Sequence, residues 1–347
     1  MEPSTLALFW AGVICVSILV YVLLDGFDLG VGILFGTSRD KAKRGQMMSA
    51  IAPYWDGNET WLVIVGASLF AAFPAVYAVF LGAFYLPVLH MLIGLILRGV
   101  AFEFRSRAGH SRWLWDRGFF VGSLLVAFVQ GAAVGALIRG IPVENGQFAG
   151  TSLDWLHPFP VLTGIGLVLG YALLGAGWLV LKTEGDLRDW ACARIPWLAA
   201  GVVLVLAVAF FVTQSIDPVV VVRGGGLPGI WPLALAFVAL VAIVLVFAAA
   251  WAGHDALPFA LTALFFLAAF LALGATMWPY MIPYALTVGS AAAPEASLRF
   301  FLYAGIVVLP IIAAYTVGVY WVFRGKIDRT SGRTQGEEPS AIRNRRP

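Results

Sequence analysis

The strongest constraint in this chain is one kind of segment, repeated. Nine stretches of near twenty residues, almost wholly apolar, stand at roughly 7–34, 60–80, 83–104, 118–138, 160–181, 196–214, 229–251, 257–278 and 301–323. A helix rises about 1.5 Å per residue, so about 20 apolar residues cross a hydrocarbon core about 30 Å thick. The composition agrees: 61% of the 347 residues are hydrophobic and 12% charged, against about 25% charged in soluble domains. So little charge cannot cover a surface in water, which excludes a soluble globular fold. The expected fold class is an all-α polytopic membrane protein with nine transmembrane helices. They form one helical domain over 1–323, followed by a polar tail over 324–347. The second and third stretches are expected to make a hairpin through a tight turn near Leu81-Gly82. The first reads as a retained span, because only Glu2 precedes it where a cleavable signal would carry basic residues.

With nine spans, the loops at 35–59, 105–117, 182–195 and 252–256 share a side with the C-terminal tail. That side holds eighteen lysines and arginines, and the other only Arg139, Arg223 and Arg299. Basic residues accumulate on the cytoplasmic side, which puts the N-terminus outside and the C-terminus in the cytoplasm. The same asymmetry accounts for the net charge of +3 without a nucleic-acid partner. The tail from Arg324 mixes Ser, Gly, Pro and both signs of charge, the composition of a solvated end.

One cation falls inside a span: Arg98, in "LRGVAFEFR". Charge in hydrocarbon costs several kcal/mol unless it is paired or faces protein or water, so partners are needed. "LLDGFDLGVG" at 23–32 offers Asp25 and Asp28, past the midpoint of the first span. "APYWDGNETW" supplies Asp56 and Glu59 at the start of the second, and Glu103 closes the third. Three neighbouring helices thus bring ionisable groups to one depth, toward the cytoplasm. Asp25 or Asp28 is the expected counter-ion of Arg98, with Glu103 a further member of the cluster. Such a cluster either pins helices together or marks a proton or ion path. Gly26 and Gly30, and Gly32 and Gly36, have small-xxx-small spacing and are expected to form a helix contact face.

Other features bound the function by what they lack. A haem between spanning helices usually takes axial His or Met ligands. Of four histidines, only His90 falls within a span, and it has no intramembrane partner histidine; it reads as a satisfied buried side chain. Cys15, in the first apolar stretch, and Cys192, in a loop, make neither a disulfide framework nor a metal-ligand spacing. "MWPYMIP" at 277–283 reads as a helix end with interfacial aromatics. "RGGGLPG" at 223–229 reads as an outer loop; it follows no strand, so it is not a phosphate cradle.

The motifs "DGFDLGVG", "AIAPYWDGNETWL", "FAAFPAVYA" and "LRGVAFEFR", with the nine-span layout, resemble subunit II of the cytochrome bd-type quinol oxidases over essentially the whole chain. The "WDGNETW" form and the short length lean toward the cyanide-insensitive branch. The resemblance implies two four-helix bundles plus one peripheral helix, in a bacterial inner-membrane oxidase that oxidises quinol and reduces dioxygen to water. It implies a larger subunit I carrying two b-type haems and haem d, while this chain binds no haem. It leaves room for small single-span accessory subunits and for a structural quinone or lipid. Family proton-path residues carry over to Asp56, with Trp55 beside it, and to Asp28; Asp25, Arg98 and Glu59 stand in the same motifs. The competing readings are a stand-alone proton-coupled transporter and a purely scaffolding subunit. Acids gathered toward one face argue against the transporter, whose sites lie near the midplane.

Overall fold

The computed structural model describes residues 2–215 and 229–327. The motif at 223–229, apart from Gly229, and the tail beyond Ile327 lie outside the described residues. The described helices are α1 (Thr5–Thr37), α2 (Lys41–Ile51), α3 (Trp55–Ala72), α4 (Pro74–Arg105), α5 (Arg112–Arg139), α6 (Pro158–Lys182), α7 (Asp186–Cys192) and α8 (Ile195–Ser215). They continue with α9 (Ile230–Trp251), α10 (Leu257–Met277), α11 (Val288–Ala291) and α12 (Glu295–Val322). Two short antiparallel hairpins, Val143–Glu144 with Gln147–Phe148 and Tyr280–Ile282 with Leu286–Thr287, lie between helices. Eight helical segments among the described residues are long and apolar enough to cross a membrane, so the chain is an all-helical, multi-pass membrane protein.

The second stretch departs from expectation. Its helix, α3, starts at Trp55, spends its first turns on the polar "WDGNET", and stops at Ala72 after 18 residues. The break falls at Phe73 (φ −136°, ψ 62°) before Pro74, and no turn forms at Leu81-Gly82. The cause is local: the proline ring pushes the preceding residue out of helical geometry, while a glycine inside a helix costs only about 1 kcal/mol. Helix α4 then runs for 32 residues through that expected turn, bending at Phe84 near the internal Pro87. The loop at 35–59 also contains an unexpected helix, α2, capped by Asp40, whose carboxylate accepts from the N–H groups of Ala42 and Lys43.

Helix α1 is the axis of the packing. From Asp25 to Phe35 every residue is buried, because α3, α5 and α6 close around this half. Its glycines make the closeness possible. A Cβ on Gly30 would run into the backbone carbonyl of Tyr171 on α6, and Gly175 meets the Gly30 backbone in return. Gly32 and Gly36 face Ser123 and Phe120 on α5. The two small-residue pairs therefore serve two different neighbours. Helix α12 is the opposite case, with only Leu298 and Gly305 buried. It is held at one end by Trp10, which stacks on Phe301 at 4.1 Å and donates to the Leu298 carbonyl.

Candidate functional site

The buried half of α1 brings two carboxylates to one helix edge, and both are 0% exposed. Arg98, two turns before the α4 C-terminus and 1% exposed, approaches from the side. Its Nη2 donates to Asp25 Oδ1 at 2.6 Å and to Glu59 Oε1 at 2.6 Å. Asp28 is not the partner of Arg98. Its Oδ2 accepts from Asn58 Nδ2 at 2.7 Å, and Asn58 Oδ1 accepts from the Tyr320 hydroxyl at 3.0 Å. One acid is thus served by a cation and the other by an amide, across α1, α3, α4 and α12. Asp25 Oδ2, Asp28 Oδ1 and Arg98 Nη1 are buried without a partner among the described residues. Polar atoms so placed are ordinarily met by internal water.

The cluster opens through α3. Glu59 keeps a quarter of its side chain exposed, and Asp56, three residues earlier, is exposed. Asp56 does not cap the helix: Tyr54 holds the N-cap position, and no side-chain cap bond forms there. Trp55 packs on Phe102 of α4 with ring centroids 5.2 Å apart, tying the mouth of α3 to α4. Glu103 is not in the cluster. It is exposed and makes no ion pair among the described residues. Five residues past Arg98 is about 140° around the helix, so the two side chains leave α4 on different faces.

On the inward side of Asp25, Tyr21 stands one turn away on the same helix face. Its hydroxyl accepts from Gln130 Nε2 at 2.6 Å, and Gln130 Oε1 accepts from the Tyr171 hydroxyl at 3.1 Å. Below Asp28, Lys182 is 5% exposed and has no carboxylate partner among the described residues. Its ammonium donates to the Tyr54 hydroxyl at 3.0 Å and to the carbonyls of Phe323 at 2.6 Å and Gly325 at 3.3 Å. It thereby caps the end of α12 beside an aromatic group in which Phe27 stacks on Trp178 at 4.0 Å. Asn58 stands inside the "WDGNETW" motif without being singled out there, and Tyr320, Lys182 and Gln130 lie in no motif that a reading of the sequence isolates. His90 is partly exposed rather than buried, with Nδ1 2.7 Å from the Leu86 carbonyl. Cys15 is exposed on α1, and Cys192 ends α7 rather than standing in a loop.

This arrangement defines a class: a multi-pass helical membrane protein with a guanidinium–carboxylate cluster buried inside one end of its bundle. The comparisons supply the particular family. The family model for cytochrome bd terminal oxidase subunit II matches residues 6–323, and the chain belongs to that family. Cytochrome bd-I ubiquinol oxidase subunit 2 of Escherichia coli (strain K12) is 31% identical over 374 residues, covering 95% of this chain and 97% of the relative. Cytochrome bd ubiquinol oxidase subunit 2 of Bacillus subtilis (strain 168) is 29% identical over 328 residues, covering 92% and 96%. The fold matches a chain of the bd oxidase from Geobacillus thermodenitrificans with TM-score 0.76, at 15% identity, over 92% of this chain and 98% of that one.

Proposed function

We propose that the chain is the non-haem subunit II of a bd-type quinol:oxygen oxidoreductase in a bacterial inner membrane. In this reading it stabilises a haem-carrying subunit I and lines a cytoplasmic proton path with Asp56, Trp55, Asp28 and Asp25. The chain itself is not catalytic; two b-type haems and haem d belong to the partner. The observation that carries the reading is the graded exposure of the acids: Asp56 exposed, Glu59 partly exposed, Asp25 and Asp28 fully buried. Reducing dioxygen to water consumes protons, and ionisable groups enclosed among spanning helices commonly mark proton relays. Acids stepping inward from a surface are what such a supply needs.

The finer layout belongs to the same proposal. Helix α3 is the ninth span, α12 the peripheral helix beside two four-helix bundles, and the basic end lies in the cytoplasm with the tail over 324–347. The sparse burial of α12 supports this. At the opposite end a cavity of about 400 Å³, lined by Phe84, Trp155, Arg139 and His157 among others, has room for a structural quinone or lipid.

The test is purification of the tagged chain from its native membrane. It should bring down a larger subunit and a haem spectrum in the visible, while the same chain expressed alone should be colourless. A colourless, stable chain that purifies without a partner from the native membrane would favour the transporter reading instead.

A further inference from the structure

We propose that the junction of α1, α2, α4 and α5 at the basic end is a binding site for the phosphate of an anionic phospholipid. The site is separate from the acid cluster and does not rest on the proton-path reading. Three guanidinium groups meet there: Arg44 on α2, Arg105 closing α4 and Arg112 opening α5. Arg105 feels the charge of both others. One carboxylate, Asp116, serves them, and both of its oxygens are taken. Arg105 Nε donates to Oδ1 at 2.5 Å and Arg44 Nη1 to Oδ2 at 2.9 Å.

Arg44 Nε donates to the Phe35 carbonyl at 3.3 Å, but two further donors find no acceptor. Arg105 is 6% exposed, yet its Nη2 is buried without an acceptor among the described residues, as is Arg112 Nε. Arg44 and Arg105 also lie over the Phe35 ring, at 4.9 and 5.2 Å from its centroid. The ring holds the two cations in place but offers no oxygen. Buried donors on charged groups are costly to leave unpaired, and three cations against one acid leave a net positive charge. A group with several anionic oxygens answers both deficits, and planar guanidinium groups suit phosphate in particular.

The flanking surface decides which phosphate. Phe104, Trp113 and Leu114, at the same helix ends, are 54%, 56% and 51% exposed. Free phosphate has no use for such a surface, whereas acyl chains do. Basic pockets between spanning helices on the cytoplasmic side are recognised lipid headgroup sites.

The test uses the purified oxidase complex containing this chain, stripped of lipid in detergent. It is then incubated with vesicles of phosphatidylcholine or of phosphatidylcholine with phosphatidylglycerol. Retained lipid is counted by native mass spectrometry. The unaltered complex should hold phosphatidylglycerol in preference to phosphatidylcholine. Arg112→Gln, which leaves both Asp116 pairs intact, should weaken retention about fivefold, and Arg105→Gln with Arg112→Gln about 25-fold, at about fivefold per arginine near a membrane surface. Arg107→Gln, on the exposed loop, should retain lipid as the unaltered complex does. Equal retention of the two lipids, or an unchanged count in Arg112→Gln, would overturn the site. Displacement of the lipid by inorganic phosphate alone would overturn the lipid assignment.

Discussion

Replacing Arg98 by Leu removes one side chain and leaves two carboxylates without their cation. The two are not equal. Asp25 is 0% exposed and Arg98 1%, so the Asp25 charge loses its cation where bulk water does not solvate it. Glu59, a quarter exposed, can turn outward and loses little. Removing one member of a buried pair costs about 3–5 kcal/mol, or about a hundred- to several thousand-fold in an equilibrium at about 1.4 kcal/mol per tenfold. The expected outcome for Arg98→Leu is loss of most assembled complex, read as haem-loaded enzyme per unit of membrane and as a lower Tm for what survives. Removing Asp25 as well, as Arg98→Leu with Asp25→Leu, deletes the stranded charge, and a buried pair replaced by apolar residues is often near neutral. The double variant should therefore assemble better than the single one. Equal assembly of the two would refute the pairing as the source of the loss.

Gly30→Ala forces a methyl group against the Tyr171 carbonyl and should cost about 3 kcal/mol or more, the upper range for overpacking. Gly12→Ala, with nothing within 4 Å, should stay within about 0.5 kcal/mol; thermal unfolding of the two complexes compares them. Lys182→Met removes the donor to the Phe323 and Gly325 carbonyls and should cost about 1.5–3 kcal/mol, as charged hydrogen bonds do. Faster proteolysis at the end of α12 is the readout. Asp255 is held below the usual carboxylate range by Lys326 and Arg188. Its contribution is therefore present above about pH 4 and disappears as pH falls through its lowered value. Asp255→Asn should cost about 1 kcal/mol or less at neutral pH, with the difference in Tm from the unaltered chain vanishing in acid.

Much of the fold was readable because lipid leaves few choices: apolar runs of spanning length carry eight of the helical segments, and Asp25 could be matched to Arg98 because a lone intramembrane arginine must find an acid. Where the reading failed, the signals were short-range. Pro74 broke the second stretch, a stronger determinant than Gly82, whose helix carried on. Glu103 was placed by depth alone, although the helical angle from Arg98 turns it away. Glu59, not Glu103, is the second acid on the guanidinium, and its spacing from Asp56 offered no hint of that. The Asp28–Asn58–Tyr320 connection joins residues 262 apart in sequence at its second step. An asparagine and a tyrosine at helix ends look the same whether they meet each other or water. Lys182 looked like one more basic residue of a loop, because nothing local shows that the end of α12 returns to it.

If the acids supply protons to the oxygen-reducing site, Asp56 is the residue at which their loss should show first. It is exposed on the first turn of α3 and makes no cap bond, so Asp56→Asn keeps the shape and removes the titratable group. As first-turn charge it contributes only about 0.3–1 kcal/mol to the helix, too little to prevent assembly. The measurement is steady-state oxygen consumption per haem in the assembled Asp56→Asn complex beside the unaltered enzyme, with the rate of haem reduction by quinol taken on the same samples. Oxygen turnover should fall while haem reduction, which draws no proton from this side, stays fast. Full oxygen turnover in a fully assembled Asp56→Asn complex would contradict the proton-supply role.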